Sequence, residues 1–320
     1  MAVYTHLSAE DLAILIAEYG VGELVSAKGI AEGVSNSNWL VDTARDRFIL
    51  TMYESRTELS DLPFFLGLLD HLAARDCPVP RTIHDRAGQA FRMIGGKAVA
   101  LIEFLPGISV DHPQTAQAYA VGAALAGVHL ASLDFAGSRE NGLGRSGWKA
   151  LLDECGDSGL ARIDPVLPEL VAGECAFLRE RWPDDLPRSV IHADLFPDNV
   201  LMLGSAVSGL IDFYFACTDI TAYDVAVTHA AWCFDAHGRN FSPQISAALL
   251  AGYESVRPLS AAERAALPVL ARGAAMRFLS TRAYDWLHTP ADALVTRKDP
   301  MAFARRLVFY QGAGDLAFRP

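Results

Sequence analysis

Apolar residues follow two regimes along this chain. Up to about residue 104 they come in short runs broken by turn residues, and beyond that they recur mostly every three or four positions. Ser8 and Asp11 have the spacing of a capping box, Leu12, Leu15, Ile16 and Tyr19 share one face of the helix it opens, and Gly20 stops it. Asn38 to Thr43 and Phe48 to Tyr53 read as strands joined by the polar turn Ala44-Arg45-Asp46-Arg47. Asp61-Leu62-Pro63 predicts a helix start, a capping carboxylate ahead of a first-turn proline, and that helix runs to about Arg75. Two more strands are predicted at Phe91 to Ile94 and Ala98 to Phe104, with Gly95-Gly96 as the turn. Past Leu105-Pro106-Gly107 the pattern predicts helices over 114–130, 165–182, 221–235, 243–254, 260–288 and 300–312, interrupted by a β-rich stretch from Val190 to Phe213. The expected architecture is α+β and two-lobed. Residues 1–104 form a small antiparallel-β lobe with one main helix, and residues 105–320 a larger, mainly helical lobe.

Composition adds a few bounds. With 51% hydrophobic and 20% charged residues among 320, a large core can be buried and global disorder is excluded. A net charge of −11 repels nucleic acid and anionic lipid, so neither is an expected partner, although local cations can still reverse the field at a site. Five cysteines, odd in number and without a CxxC, read as reduced thiols of a cytoplasmic protein. The start MAVYTHLSAEDL lacks the basic and apolar regions of a signal peptide. The apolar run from Val225 to Phe234 is too short to span a bilayer.

The chemistry is concentrated in VIHADLFPDNVLML…SGLIDFYFA. A short apolar strand delivers His192-x-Asp194, Asn199 follows five residues later, and a hairpin ends in Asp212. Asp and Asn are also ordinary turn residues after buried strands. A second strand-borne Asp at hairpin distance makes the chemical reading the stronger one. Phosphoryl transfer asks the protein for positioning and charge neutralisation. Asp194 can accept the proton of an attacking hydroxyl, Asn199 and Asp212 are hard oxygen ligands suited to Mg²⁺, and His192 reads as an orienter of the loop.

HADLFPDN followed by LIDF resembles the catalytic loop and metal-binding segment of the aminoglycoside phosphotransferase and choline kinase superfamily, relatives of the protein kinases. The resemblance implies a protein-kinase-like fold and ATP and Mg²⁺ as cofactors. It puts the catalytic base on Asp194 and the metal on Asn199 and Asp212. Gly29-x3-Gly33-Val34-Ser35-Asn36 resembles the phosphate-covering loop, which implies contacts from Gly33, Ser35 and Asn36. The segment ending Glu103-Phe104-Leu105-Pro106-Gly107 resembles the hinge, which implies that adenine meets main-chain groups of Glu103 and Leu105. Leu125-x2-Val128-His129 and Tyr223-Asp224-Val225-Ala226 resemble helical segments of the larger lobe. The sequence departs from the pattern where a phosphate-pairing Lys or Arg is usual: that position reads Thr51, and its Glu partner reads Leu66. Another cation, such as Lys28 or Arg56, or a second Mg²⁺ must then hold the phosphates.

Within that superfamily KGIAEGVSNSNWLV, FILTMYESR, DLPFFLGLLDHLAARDCPVP and RFLSTRAYDWL resemble the homoserine kinases of the kinase-like type, which share the Thr51 departure. The resemblance implies homoserine as the small-molecule substrate. A zwitterion needs a cation for its carboxylate and acceptors for its ammonium. Arg277, Tyr284 and Asp285 stand seven and eight residues apart on one face of the long 271–288 helix, with Arg282 as a second cation. Competing readings are a choline, aminoglycoside or sugar-derivative kinase of the same fold, and a non-catalytic binder.

Overall fold

The computed structural model describes residues 7–30, 36–54, 58–289 and 297–319. The chain divides into two compact units, Met1–Pro106 with Phe135–Gly137, and Gly107–Asp134 with Ser138–Pro320.

The N-terminal unit is built on an antiparallel sheet whose central strand is buried on both faces. Helix α1 (Ala9–Ala17) begins with the expected reciprocal cap, the Asp11 amide donating to Ser8 Oγ and the Ser8 amide to the Asp11 carboxylate, each at 3.1 Å. Strands β1 (Leu24–Ile30), β2 (Ser37–Thr43) and β3 (Arg47–Met52) form an antiparallel meander. Helix α2 (Leu62–Ala73), β4 (Thr82–Ile83), β5 (Arg92–Ile94) and β6 (Lys97–Glu103) follow. The sheet order is β1-β2-β3-β6-β4, with β5 paired to β6. Leu12, Leu15 and Ile16 of α1 pack on Trp39, Val41, Leu50, Met52, Val99 and Leu101 of the sheet. Strand β1 has no counterpart in the sequence pattern because none of its residues is buried, so no alternation marks it. Asp61 is a correction: it closes a 3₁₀ turn, is itself helical (φ −87°, ψ −18°), and makes no side-chain cap on α2.

The second unit is helical around a small β insert. Its elements are α3 (Thr115–Ala131), α4 (Arg145–Ile163), α5 (Leu167–Arg181), β7 (Arg188–Ile191), β8 (Val200–Leu203), β9 (Ala206–Leu210), β10 (Cys217–Ile220), α6 (Thr221–Trp232), α7 (Pro243–Val256), α8 (Ala261–His288) and α9 (Met301–Ala313). Helix α6 is buried on every side, which its near-continuous apolar sequence dictates. Helix α4 is absent from the sequence expectation. Gly147, Gly156 and Gly159 interrupt its pattern, and Gly156 breaks the helix with φ 62° and ψ 161°. Helices α3 and α7 pack backbone to backbone through Gly122 and Gly252. A Cβ at Gly122 would collide with the Leu249 carbonyl, and one at Gly252 with the Tyr119 carbonyl. Buried Glu174 joins α5 to α8 and α9, receiving two bonds from Arg272 (2.7 and 2.6 Å) and one from Gln311 (2.8 Å).

Candidate active site

Strand β7 pairs with β10, and where β7 ends the chain turns into the loop that carries Asp194. The turn needs an uncommon backbone: Ala193 has φ 64°, a conformation that costs an L-residue about 1 kcal/mol or more. The compensation comes from Asp224, the fourth residue of α6, which is wholly buried. Its carboxylate accepts the main-chain amides of His192 (2.6 Å) and Ala193 (2.7 Å), and His129 of α3 bonds it at 3.0 Å. Burial alone would raise its pKa, but the hydrogen bonds from His129 and the His192 amide win and hold the carboxyl below its ordinary range. His129 is in turn fixed by the Tyr253 hydroxyl (2.8 Å), to which Arg257 donates (3.1 Å).

The loop is tied at almost every residue. His192 Nε2 lies 2.9 Å from the Ile211 carbonyl, and Nδ1 accepts the Asp194 amide at 3.2 Å, which sets the tautomer. One ring thus links the loop to the strand end carrying Asp212. Burial lowers the His192 pKa, so the ring is neutral and orients rather than titrates. Trp232 donates to the Leu195 carbonyl (2.9 Å), and Asn199 Nδ2 donates to the Asp194 carbonyl (2.8 Å) and to Asp194 Oδ2 (3.3 Å). Arg277 of α8 donates to the Ala193 carbonyl and sets Nη2 3.6 Å from Asp194 Oδ1.

Asp194 keeps 18% of its side chain exposed, enough to meet an acceptor. Burial drives its pKa up to about 7, Arg277 opposes, and the charge of Asp212 adds to the rise. A carboxyl poised there can take a proton near neutral pH. Asp212 sits in a left-handed conformation (φ 65°, ψ 55°), which Asp tolerates, and is open to solvent. Surrounding protein and then Asp198 push it up to about 6, although its exposure blunts that effect. Two carboxylates held above their ordinary range are a site that a cation would relieve. With Nδ2 of Asn199 spent on Asp194, its Oδ1 is left as a hard oxygen donor. Among the described residues no group of three His, Cys, Asp or Glu could hold a metal.

The other expected site residues are dispersed. Gly33, Ser35 and Arg56 lie outside the described residues. Asn36, Glu103 and Leu105 belong to the N-terminal unit. Asn36 is buried and accepts the Glu54 amide at 3.4 Å, and Glu103 exchanges main-chain and side-chain bonds with Arg81 (2.9 and 3.1 Å). In the same unit Thr51 donates to Asn38 (2.8 Å), Leu66 is core, Lys28 is exposed on β1, and Lys97 pairs with Glu54. In α8, Arg277 is only 2% exposed, packed over the ring of Phe278 (4.4 Å), and its Nη atoms face the loop. Tyr284 stacks on His288 (4.1 Å) and, like Asp285, is half-buried. Sequence reasoning assigned no role to Asp224 or His129. The signal available was a carboxylate opening an otherwise apolar buried helix.

A model of the phosphotransferase enzyme family matches residues 26–259. A homoserine kinase of Acidiphilium cryptum is 51% identical over 317 residues, 99% of this chain and 99% of that protein. One from Methylobacterium radiotolerans is 50% identical over 315 residues, 98% of each. Among solved structures, the amicoumacin kinase hAmiN, in complex with AMP-PNP and Ca²⁺, superposes with a TM-score of 0.69 at 14% identity. The match covers 95% of this chain and 94% of that one, a likeness of fold.

Proposed function

The chain belongs to the phosphotransferase enzyme family, and from that premise we propose that it transfers the γ-phosphoryl group of ATP to the side-chain hydroxyl of L-homoserine, giving O-phospho-L-homoserine for threonine biosynthesis. The observation that carries the reaction class is Asp194, pinned by its loop and held near pKa 7 beside Asn199 and Asp212. Half-identity to homoserine kinases over nearly the whole chain supports the acceptor. The acceptor hydroxyl gives its proton to Asp194 as its oxygen bonds the γ-phosphorus. The bond to the β–γ bridging oxygen breaks, and ADP leaves. Asn199 and Asp212 would hold Mg²⁺, which when bound would supply charge neutralisation on the phosphates. Gly33, Ser35 and Asn36 are assigned to the phosphates, and Glu103 and Leu105 to adenine, in an N-terminal nucleotide-covering lobe.

Of the residues assigned to the amino acid, Arg277 offers the least surface, and both its Nη atoms are turned to the loop. Its role in this proposal is to fix and charge the loop. Reading of the carboxylate then moves to Arg282, which is less buried, gives Nη1 to the Asp299 carbonyl (3.2 Å), and acts electrostatically on Asp194. Tyr284 and Asp285 remain candidates for the ammonium. A panel of hydroxyl acceptors with ATP tests this. Homoserine should turn over fastest, and Asp194→Asn should lower kcat by about 10²–10⁴-fold. Homoserinol, lacking the carboxylate, should be the poorer acceptor, and Arg282→Ala should erase that difference. Faster phosphorylation of choline or an aminoglycoside would overturn the acceptor and leave the kinase reading standing.

A further inference from the structure

Thr51 stands where a phosphate-pairing cation is usual, so the cation has to come from elsewhere. Three cationic side chains of the second unit act on Asp194: Arg277, Arg282 and Lys298. Arg277 is buried with its guanidinium on the loop. Arg282 lies over the ring of Phe303 (4.5 Å) and is held by the Asp299 carbonyl (3.2 Å). Lys298 differs from both. Its side chain is 61% exposed, and Nζ stands 3.6 Å from Asp198 Oδ2 and 5.7 Å from the centre of the Phe196 ring. Phe196 and Asp198 are loop residues between Asp194 and Asn199, so this ammonium lies over the middle of the catalytic loop. Phe196 is itself braced by Phe278 (4.8 Å) and Phe303 (6.1 Å), which gives the cation a fixed platform.

The charge of Lys298 also lowers the pKa of both Asp194 and Asp212, whereas Arg282 acts on Asp194 and Asp198. In the reaction proposed above, the phosphoryl group in transit must lie between the acceptor oxygen at Asp194 and the phosphate oxygens gathered at Asp212. Nζ of Lys298, 3.6 Å from Asp198 on the loop between Asp194 and Asn199, stands beside that place. An exposed ammonium held by one solvent-facing carboxylate is also free to exchange Asp198 for phosphate oxygens at little cost.

We propose that Lys298 is the cation that contacts the transferred phosphoryl group, in place of the lysine that Thr51 replaces. The inference rests on the kinase reading, and its test separates the two. Wild-type turnover with homoserine and with homoserinol checks the reaction and acceptor first; if neither is phosphorylated, the proposed function fails and Lys298 is assayed on whichever acceptor does react. Lys298→Met should then lower kcat by about 10²-fold, the scale of one lost charge-stabilising donor. The factor should be the same for homoserine and homoserinol, with the acceptor KM changed little, and Lys298→Arg should recover most of the rate. A kcat for Lys298→Met within about threefold of wild type would make the residue a surface ion pair and overturn the proposal. A loss seen with homoserine and absent with homoserinol would overturn it too, by making Lys298 a carboxylate reader.

Discussion

Asp224 decides whether Asp194 is in place, although it touches neither substrate in the proposed reaction. It satisfies two consecutive amides that a left-handed Ala193 turns inward, and it is buried with no access to water. An amide side chain has one acceptor oxygen and brings two donors, so Asp224→Asn leaves one loop amide unpaired and faces it with an N–H. We expect a loss of about 2–4 kcal/mol in unfolding free energy, the cost of breaking a buried charged network. We also expect a fall of more than about tenfold in kcat, because Asp194 loses its placement. Chemical denaturation and steady-state kinetics measure the two. A stable variant with wild-type kcat would remove Asp224 from the machinery. This residue also marks where sequence reading stops. His192, Asp194, Asn199 and Asp212 stand out because a His-x-Asp-x4-Asn spacing follows one strand and a second strand-borne Asp comes at hairpin distance. Asp224 opens a helix, where an acidic residue is expected for capping and dipole reasons alone.

At the scale of elements, the network behind the loop depends on how closely α3 and α7 approach. Each supplies one member, His129 and Tyr253, and the two rings meet edge to face at 5.6 Å. That approach is permitted by glycine at 122 and 252. Gly252→Ala should cost about 2–3 kcal/mol through a backbone collision that no rotamer change relieves. Gly127→Ala, in the facing helix α3 with open space at its Cβ, is the control and should be neutral or stabilising by up to about 1 kcal/mol. Thermal melts of the two variants decide it: equal shifts would mean the helices can move apart freely. The helices themselves were legible wherever periodicity ran unbroken, as in 243–254 and 260–288, which match α7 and α8 to within two residues. They were not legible in α4, where glycine spacing erases the pattern, nor in β1, which buries nothing. The close α3–α7 contact had no sequence signature, because a glycine inside a helix reads first as a weakness.

For the whole molecule the raised carboxyl of Asp194 implies a pH-dependent cost. Its pKa in the folded state is about 7 against an ordinary 3.8, so the folded protein binds the extra proton between those values. Stability from this group is therefore present at low pH and is lost as pH rises from about 4 to about 7. Buried His229, pulled down to about 3 from an ordinary 6.5, acts in the opposite sense between those values, so the wild-type profile alone is a mixture. The difference between wild type and Asp194→Asn isolates the carboxylate. In metal-free buffer the variant should gain stability relative to wild type as pH rises, reaching about 1–3 kcal/mol at pH 8. Mg²⁺ with a nucleotide should shrink the gap. A melting-temperature difference that is flat in pH would show that Asp194 ionises normally. Among the described residues no helix is long and apolar enough to cross a membrane. The antiparallel sheet unit runs to Pro106 and takes in Phe135–Gly137 from beyond it, while the apolar spacing changes near residue 104.

The ties around His192, Ala193 and Leu195 have a consequence in time as well as in space. Each is made by groups that are already buried in the folded chain: Asp224, Trp232, the His192 ring and Arg277. Ordering the loop is thus completed once, when the chain folds, and is not repeated at each turnover. In the proposed reaction, reorganisation is left to the ligands and to the exposed ammonium of Lys298, and arranging Asp194 adds little to the activation barrier.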